Sequence, residues 1–449
     1  MSILALHGGT PVRRHPFPDY RTIGAEEQAA VARVLESGTL SGFLGSWDAR
    51  FFGGPEVRAL EEEWAQRFGV RHAIAVNSAT SGLMAAVGAA GISPGDEVIV
   101  SPYTMSASAT VPLWYGGIPV FADIEPEYFC LDPASVRARI TPRTKAIIVV
   151  DLFGQPYDAD VIAAIAREHH LIVIEDAAQA PGARYRGRHA GTLGDVGVFS
   201  LNCHKHIQAG EGGVVVTDDD ALANRVRLIR NHAEAVVGDK GETDLVNMVG
   251  CNIRMTEVEA AISRCQLRKL DAFVRERLDN CAYLTERLRT IPALMPAVAR
   301  PDAVHVYYEQ PFLFRSDVAG CSRDAFLDAV RAELAPTKNH EDLGVRIWGG
   351  YCTPLYQLPL FQRRIAFGRS GYPFTLAHPS ALATYAAGSC PVAERMHASD
   401  LFISELMHPG LSRQDLDDIV AAFEKVFLHR RAITGERALT GEQSGHRAW

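Results

Sequence analysis

From residue 72 to about 217 the chain alternates short runs of Val, Ile and Ala with helix-like stretches, and few folds accept that pattern. The runs are HAIAV, EVIVSP, IPVFADI, KAIIVVDLF, LIVIEDAAQ, DVGVFSL and GGVVVTDD, and the segments between them include SGLMAAVGAAG, SASATVPLWYGG and DADVIAAIAREHH. Short apolar runs without polar alternation suit strands buried on both faces. Their alternation with helices predicts an α/β fold with a mostly parallel sheet flanked by helices. GGVVVTDD follows a Gly-rich turn too short for a helical crossover, so one antiparallel strand is expected and the sheet is mixed.

The flanking segments complete a two-lobed plan. Residues 1–25, with Pro11, Pro16 and Pro18, read as an extended N-terminal arm. Amphipathic helices are expected at 25–36 and 55–68. The Gly- and aromatic-rich loop between them carries Phe43, Trp47, Phe51 and Phe52, which suit either a cover over a substrate or packing at a dimer interface. A large domain over 26–270 is followed by a smaller α+β domain over 271–433. The connecting helix covers about 256–290, HVYYEQPFLFR reads as a strand, and a last amphipathic helix covers 413–428. The polar tail at 434–449 is expected to be disordered.

A chain of 449 residues is long enough for two such lobes. Its net charge of -8 is spread along the sequence, which argues against nucleic acid as a partner. No stretch is apolar for long enough to cross a bilayer, and the apolar run at the N-terminus is too short for a signal peptide, so a cytoplasmic protein with no membrane partner is expected. The eight cysteines are scattered, as free thiols would be.

Three segments carry candidate chemistry. In LIVIEDAAQ, Asp176 ends an apolar strand and Gln179 follows three residues later. The carboxyl ends of strands in an open α/β sheet are where ligands gather, although an Asp there also serves as an ordinary helix cap. In FSLNCHKHIQAGEGG, Lys205 lies between a buried strand and the glycines 210, 212 and 213. Partial desolvation in that setting favours a free amine able to attack an aldehyde. The chain has only six lysines, and none of the other five has this setting. In NSATSGL, Ser78, Thr80 and Ser81 stand between a strand and a helix, where free N–H groups and the helix dipole can receive a phosphate. Cys203, His204 and His206 flank the lysine too closely to form a metal site, and no fourth ligand is near; no metal is expected.

Any one of these signals has a bland explanation. In this order on one α/β frame they are the parts that pyridoxal 5'-phosphate (PLP) requires: a seat for its phosphate, an acid for its pyridine nitrogen and an amine for its aldehyde. The chain resembles the DegT–StrS family of sugar aminotransferases, which have the fold-type I aspartate-aminotransferase fold. The resemblance runs from about residue 6 to about 428. It rests on GGTPV, NSATSGL, GDEVIVSPYT, PVFADI, EDAAQAPGA, FSLNCHKHIQAGEGGVVVTDD, CNIRMTEVEAA and PVAER.

The resemblance implies roles. Lys205 matches the Schiff-base lysine, Asp176 the pyridinium partner and Gln179 a residue beside the ring's phenolic oxygen. Thr80, Ser81 and Ser200 match phosphate ligands. Asn252 matches an Asn that reaches the phosphate from a second subunit, which implies a homodimer with shared sites. Met105 stands where the family usually stacks an aromatic residue on the ring; its sulfur can lie against a ring with looser geometry. The implied activity is transamination from an amino-acid donor, glutamate or glutamine, to a keto-sugar acceptor linked to a nucleotide, in amino-sugar, polysaccharide or antibiotic biosynthesis. The alternative acceptor is a keto-cyclitol of the inosose type, since the opening ALHGGTPVRRHPFP resembles enzymes acting on such rings. A PLP-binding regulatory protein is a third reading, against which the complete lysine, acid and phosphate seat weigh.

Overall fold

The structure is a computed structural model and describes residues 3–433; the tail at 434–449 lies outside the described residues. The Val- and Ile-rich runs form β1 (His72–Val76), β2 (Glu97–Val100), β3 (Ile118–Phe121), β4 (Thr144–Val150) and β5 (Ile172–Asp176). A small hairpin of β6 (Arg184–Tyr185) and β7 (Arg188–His189) precedes β8 (Val196–Ser200) and β9 (Gly213–Thr217). The main sheet has seven strands in the order β1-β9-β8-β5-β4-β2-β3. Strands β3, β2, β4, β5 and β8 are parallel, while β9 is antiparallel to both neighbours, as its short connection from β8 requires. Every residue of β2, β3, β8 and β9 is buried, which explains the unbroken apolar runs.

Both edges of this sheet are covered. At β1 the buried Arg230 guanidinium donates to the Ala75 carbonyl and to Glu61, whose carboxylate also accepts from the Ala75 N–H. At β3 the Phe121 N–H donates to Thr384 Oγ1 and Tyr385 Oη donates to the Pro119 carbonyl, so a segment distant in sequence closes the edge.

The second lobe is built on a four-stranded antiparallel sheet, β10-β12-β14-β13. Its strands are β10 (Leu294–Pro296), β12 (Gln310–Phe314), β13 (Ile347–Gly349) and β14 (Leu401–Ser404), while β11 (Ala303–Val304) pairs with β6 of the first lobe. The expected connecting helix is Glu257–Leu288, started by a reciprocal Thr256–Glu259 cap. It runs unbroken past residue 270. Ala260, Leu267 and Leu270 pack under the large sheet, and Cys281, Leu284 and Leu288 pack in the core of the second lobe.

Two segments gain partners that their sequence reading did not give. The N-terminal arm is strapped along the second lobe. Leu4 and Phe17 lie in its core, Arg13 pairs with Asp415 and Asp418, and buried Glu333 accepts from the Ala5 and Val12 N–H groups and from Lys425. The aromatic loop after the first helix packs inward on its own chain. Phe43 and Phe51 are buried, and Asn231 Nδ2 ties the carbonyls of Leu44 and Phe51. These two rings therefore neither cover a substrate nor await a second subunit, because burial in the chain's own core already removes them from water.

Phe17 is fully buried with the Arg13 guanidinium 4.1 Å above its ring centre. Phe17→Ala should remove about 3–5 kcal/mol from the stability of the second lobe. Hydrogen exchange should then show lost amide protection at Arg13 and Phe17, whose N–H groups donate to Glu333 and Pro336 carbonyls; unchanged protection would show that the strap is not held by this ring.

Candidate active site

The carboxyl ends of β5 and β8 are adjacent, and the site is assembled there. Asp176 is the last residue of β5 and pairs in register with Val198 of β8. It is 5% exposed. Ser108 Oγ donates to Asp176 Oδ2 at 2.7 Å, and the Ala178 N–H donates to Oδ1 at 3.2 Å. Burial raises the Asp176 carboxyl above its ordinary range, against the opposing pull of Ser108, the Ala178 N–H and the charge of Lys205. An acid buried at a strand end and paired electrostatically with a lysine suits a ligand carrying a proton on nitrogen.

Lys205 follows β8 in a tight turn. Its N–H donates to the Asn202 carbonyl at 2.9 Å, and the Cys203 N–H donates to the Gly210 carbonyl at 2.9 Å. Lys205 Nζ lies 4.3 Å from the centre of the Tyr308 ring, which is contributed by the approach to β12. His206 is buried and donates from Nε2 to the Val306 carbonyl at 3.0 Å. Its imidazole is held neutral by burial and by the Arg277 charge, well below the ordinary histidine range. His206 is therefore the packing histidine of the pair, and His204 is exposed. Among the described residues no group of three or more His, Cys, Asp or Glu is arranged to hold a metal ion.

The candidate phosphate seat lies beside these residues. Ser78 caps the helix Ala79–Ala89, accepting from the Ser81 N–H at 3.1 Å. The Ser81 hydroxyl donates to Asn77 Oδ1 and lies 2.7 Å from Ser78 Oγ, so it braces the turn, while Thr80 is exposed. Ser200 is paired with Gly213 across β8 and β9. A Cβ at Gly213 would stand 2.7 Å from the Ala79 nitrogen, so glycine is what allows the helix start to approach Ser200. The first N–H groups of a helix have no partner along it and attract an anion. Ser200, Thr80 and this helix start thus form a cradle that fits a phosphate group, with Asp176 and Lys205 on the neighbouring strand ends. The residues present fit PLP.

Gln179 is held at both ends of its amide. Oε1 accepts from the Phe153 N–H at 2.6 Å and Nε2 donates to Tyr351 Oη at 2.8 Å. Met105 is 39% exposed, and its sulfur accepts from the Ala107 N–H at 3.1 Å, at the start of the short helix that supplies Ser108. Asn252 is exposed and forms a β-bridge with Asn231. The next residue, Ile253, accepts at its carbonyl from the Asn77 N–H, which ties this segment to the cradle's base. Sequence reasoning missed Ser108, Tyr308 and Tyr351. Ser108 lay in a plain SASAT run, and the two tyrosines come from the other lobe, beyond the reach of any local pattern.

This is the architecture of a fold-type I, PLP-dependent aminotransferase. The solved structure of DesI in the presence of its TDP-sugar product superposes with a TM-score of 0.78 at 30% identity, covering 96% of this chain and 98% of that one. The profile of the DegT/DnrJ/EryC1/StrS aminotransferase family matches residues 21–364, and the chain belongs to that family. It is 34% identical to an L-glutamine:2-deoxy-scyllo-inosose aminotransferase of Micromonospora echinospora, over 97% of this chain and all of the relative. It is 46% identical to GDP-perosamine synthase of Caulobacter vibrioides, over 52% of this chain and 62% of that protein.

The Asp176 environment makes a two-sided prediction. Burial disfavours the ionised carboxyl, so its charge subtracts from stability as pH rises through the raised value. Cofactor-free Asp176→Asn should therefore match or exceed the wild type in thermal stability at neutral and alkaline pH. With cofactor, the same variant should lose at least about 100-fold in turnover. A variant with lowered stability and near-normal turnover would assign Asp176 to the scaffold.

Proposed function

We propose that this enzyme moves an amino group from glutamate or glutamine to the ketone of a nucleotide-linked sugar. The observation that carries this reading is the convergence, at adjoining strand ends, of buried Asp176, Lys205 and the Ser200–Thr80 cradle. In this assignment Ser200, Thr80 and the helix start would bind the phosphate, and Ser81, expected from the sequence as a further ligand, braces the turn through Asn77 and Ser78. Asp176 would hold a proton on the pyridine nitrogen, and Gln179 and Met105 would serve the ring oxygen and the ring face. Bound there, the cofactor supplies the electron sink for charge left on the donor α-carbon. Lys205 Nζ would act as the general acid–base that takes the proton from the donor α-carbon and gives it up again. The second half of the cycle runs the same proton movements in reverse on the acceptor.

A second reading, a keto-cyclitol acceptor, is favoured by the extent of likeness. The inosose aminotransferase aligns along 97% of this chain, while the GDP-perosamine synthase aligns along 52%. Among the described residues no helix is long and apolar enough to cross a membrane, and the eight cysteines are free thiols, which supports a reducing, cytoplasmic setting.

Half-reactions separate these possibilities. Glutamate or glutamine should convert the bound cofactor to its amine form, and the correct ketone should restore the original spectrum. Restoration by an inosose and by no nucleotide-linked keto-sugar would select the cyclitol. Lys205→Ala should abolish both half-reactions, and borohydride should fix the cofactor on Lys205. Fixation on any other lysine would remove Lys205 from the mechanism.

The same reading makes the enzyme a homodimer in which Asn252 crosses to the partner's cradle. Support comes from exposed apolar side chains beside the Asn231–Asn252 bridge. Leu44, whose carbonyl accepts from Asn231, and Val249, three residues before Asn252, are 41% and 79% exposed. In an isologous dimer, mixing inactive Lys205→Ala with inactive Asn252→Asp should regenerate one intact site per mixed dimer, or about a quarter of wild-type activity after random exchange. No recovery in mass-verified mixed dimers would place Asn252 within its own subunit's site.

A further inference from the structure

Lys205 must alternate between a covalent bond to the cofactor and a free amine that collects and returns a proton. When it carries that proton it is an ammonium in a partly buried site, and such a charge is costly unless something faces it. The Tyr308 ring faces it, with the Lys205 nitrogen 4.3 Å from the ring centre, inside the range of a cation–π contact. We propose that the face of Tyr308 is the seat that holds the Lys205 ammonium while the lysine is free of the cofactor. This rests on Lys205 being the cofactor lysine and adds a positioning residue to it.

Both partners of the contact are pinned. Tyr308 is 4% exposed, its N–H donates to the Phe153 carbonyl at 2.7 Å, and its carbonyl accepts from Arg277 Nη1 at 3.2 Å. Tyr307, before it, has a φ of +49° and also gives its carbonyl to Arg277, so a left-handed kink aims the Tyr308 ring. On the other side, Tyr20 of the N-terminal strap donates to the His206 carbonyl at 2.6 Å, and His206 Nε2 holds the Val306 carbonyl. Two backbone segments a hundred residues apart are thereby clamped at Lys205 and Tyr308. That clamp sets the short backbone separation across which the Lys205 side chain reaches the Tyr308 ring.

The charged and titratable groups around Lys205 include Asp176 from β5, Cys203, His204 and His206 from its own turn, Glu211 beside Cys203, Arg277 from the long helix, Tyr20 from the strap and His305 beside Val306. His206 and His305 are both held neutral by burial, so neither repels the ammonium at neutral pH. Asp176 attracts it, but in the functional reading that carboxylate is committed to the pyridine nitrogen. The Tyr308 face adds an attraction to the lysine that does not compete with the pyridine nitrogen.

The test uses cofactor-free protein first. Competitive acetylation across the neutral-to-alkaline range, read by mass spectrometry, gives the titration midpoint of Lys205 against the other lysines. Tyr308→Phe keeps the ring face and should leave the midpoint unmoved. Tyr308→Leu and Tyr308→Met fill the space without a π face and should lower it, because the ammonium loses its partner. A contact of this kind changes an equilibrium by roughly 2- to 30-fold, or about 0.3–1.5 pH units. In loaded enzyme the donor half-reaction should slow by a similar factor in the Leu and Met variants and recover in Phe, with borohydride-fixed cofactor on Lys205 unchanged. An unmoved midpoint in both Leu and Met, or an equal fall in Phe, would overturn the seat. Fixation of the cofactor on a different lysine would instead overturn the functional reading, while the acetylation result would still report the contact.

Discussion

The site depends on one buried carboxylate. Asp176 gives up almost all contact with water at the end of β5, and a bare charge there would be strongly disfavoured. Its compensation comes from three directions: Ser108 on a short helix after β2, the Ala178 N–H in its own turn, and Lys205 after β8. None of these can be supplied by β5 alone. The parallel pairing of β5 with β8 and β4 is therefore what makes the acid tolerable, and the acid's raised proton affinity leaves it poised to accept a cationic partner.

A second buried pair stiffens the opposite face of the same strand. Glu175 accepts from the Gly191, Leu193 and Gly194 N–H groups, and Asp151 after β4 shares a hydrogen bond with it. Burial and the neighbouring Glu175 push the Asp151 carboxyl well above the ordinary range. Because side chains alternate along a strand, Glu175 anchors the loop below the sheet while Asp176 points to the site above it. The two lobes then close on this strand end. Tyr351 and Tyr308 come from the second lobe to Gln179 and Lys205, and Tyr20 comes from a strap that the second lobe holds. A change in lobe spacing would be felt at the lysine and at Gln179 together.

Much of the fold was legible because burial on both faces leaves a plain trace. The seven apolar runs became the seven strands of the main sheet, and the helices expected at 55–68 and 413–428 appear as Pro55–Phe68 and Arg413–Leu428. The aromatic loop was read less well. Phe43, Trp47, Phe51 and Phe52 have no regular period, so their spacing says nothing about which face is covered. In the fold, buried Asn231 and Arg230 draw that loop inward, with Arg230 stacked 4.8 Å from the Phe43 ring centre. The N-terminal arm was similarly opaque, since Phe17 finds its core only after the second lobe, several hundred residues later, has formed.

Sequence alone determined the α/β class and the antiparallel β9, and it singled out Asp176, Lys205 and the Ser78–Ser81 turn as the candidate positions for chemistry. These follow from local causes: apolar runs, a short connection, a lysine before glycines, hydroxyls at a helix start. Only the tertiary structure decided what surrounds them. That Ser108 donates to Asp176, that Gly213 lets the cradle approach Ser200, and that Tyr308 and Tyr351 meet the lysine and the glutamine are outcomes of strand order and lobe closure. Those partners lie far apart along the chain and share no period with it, so their contact energies act only once the fold has brought them together.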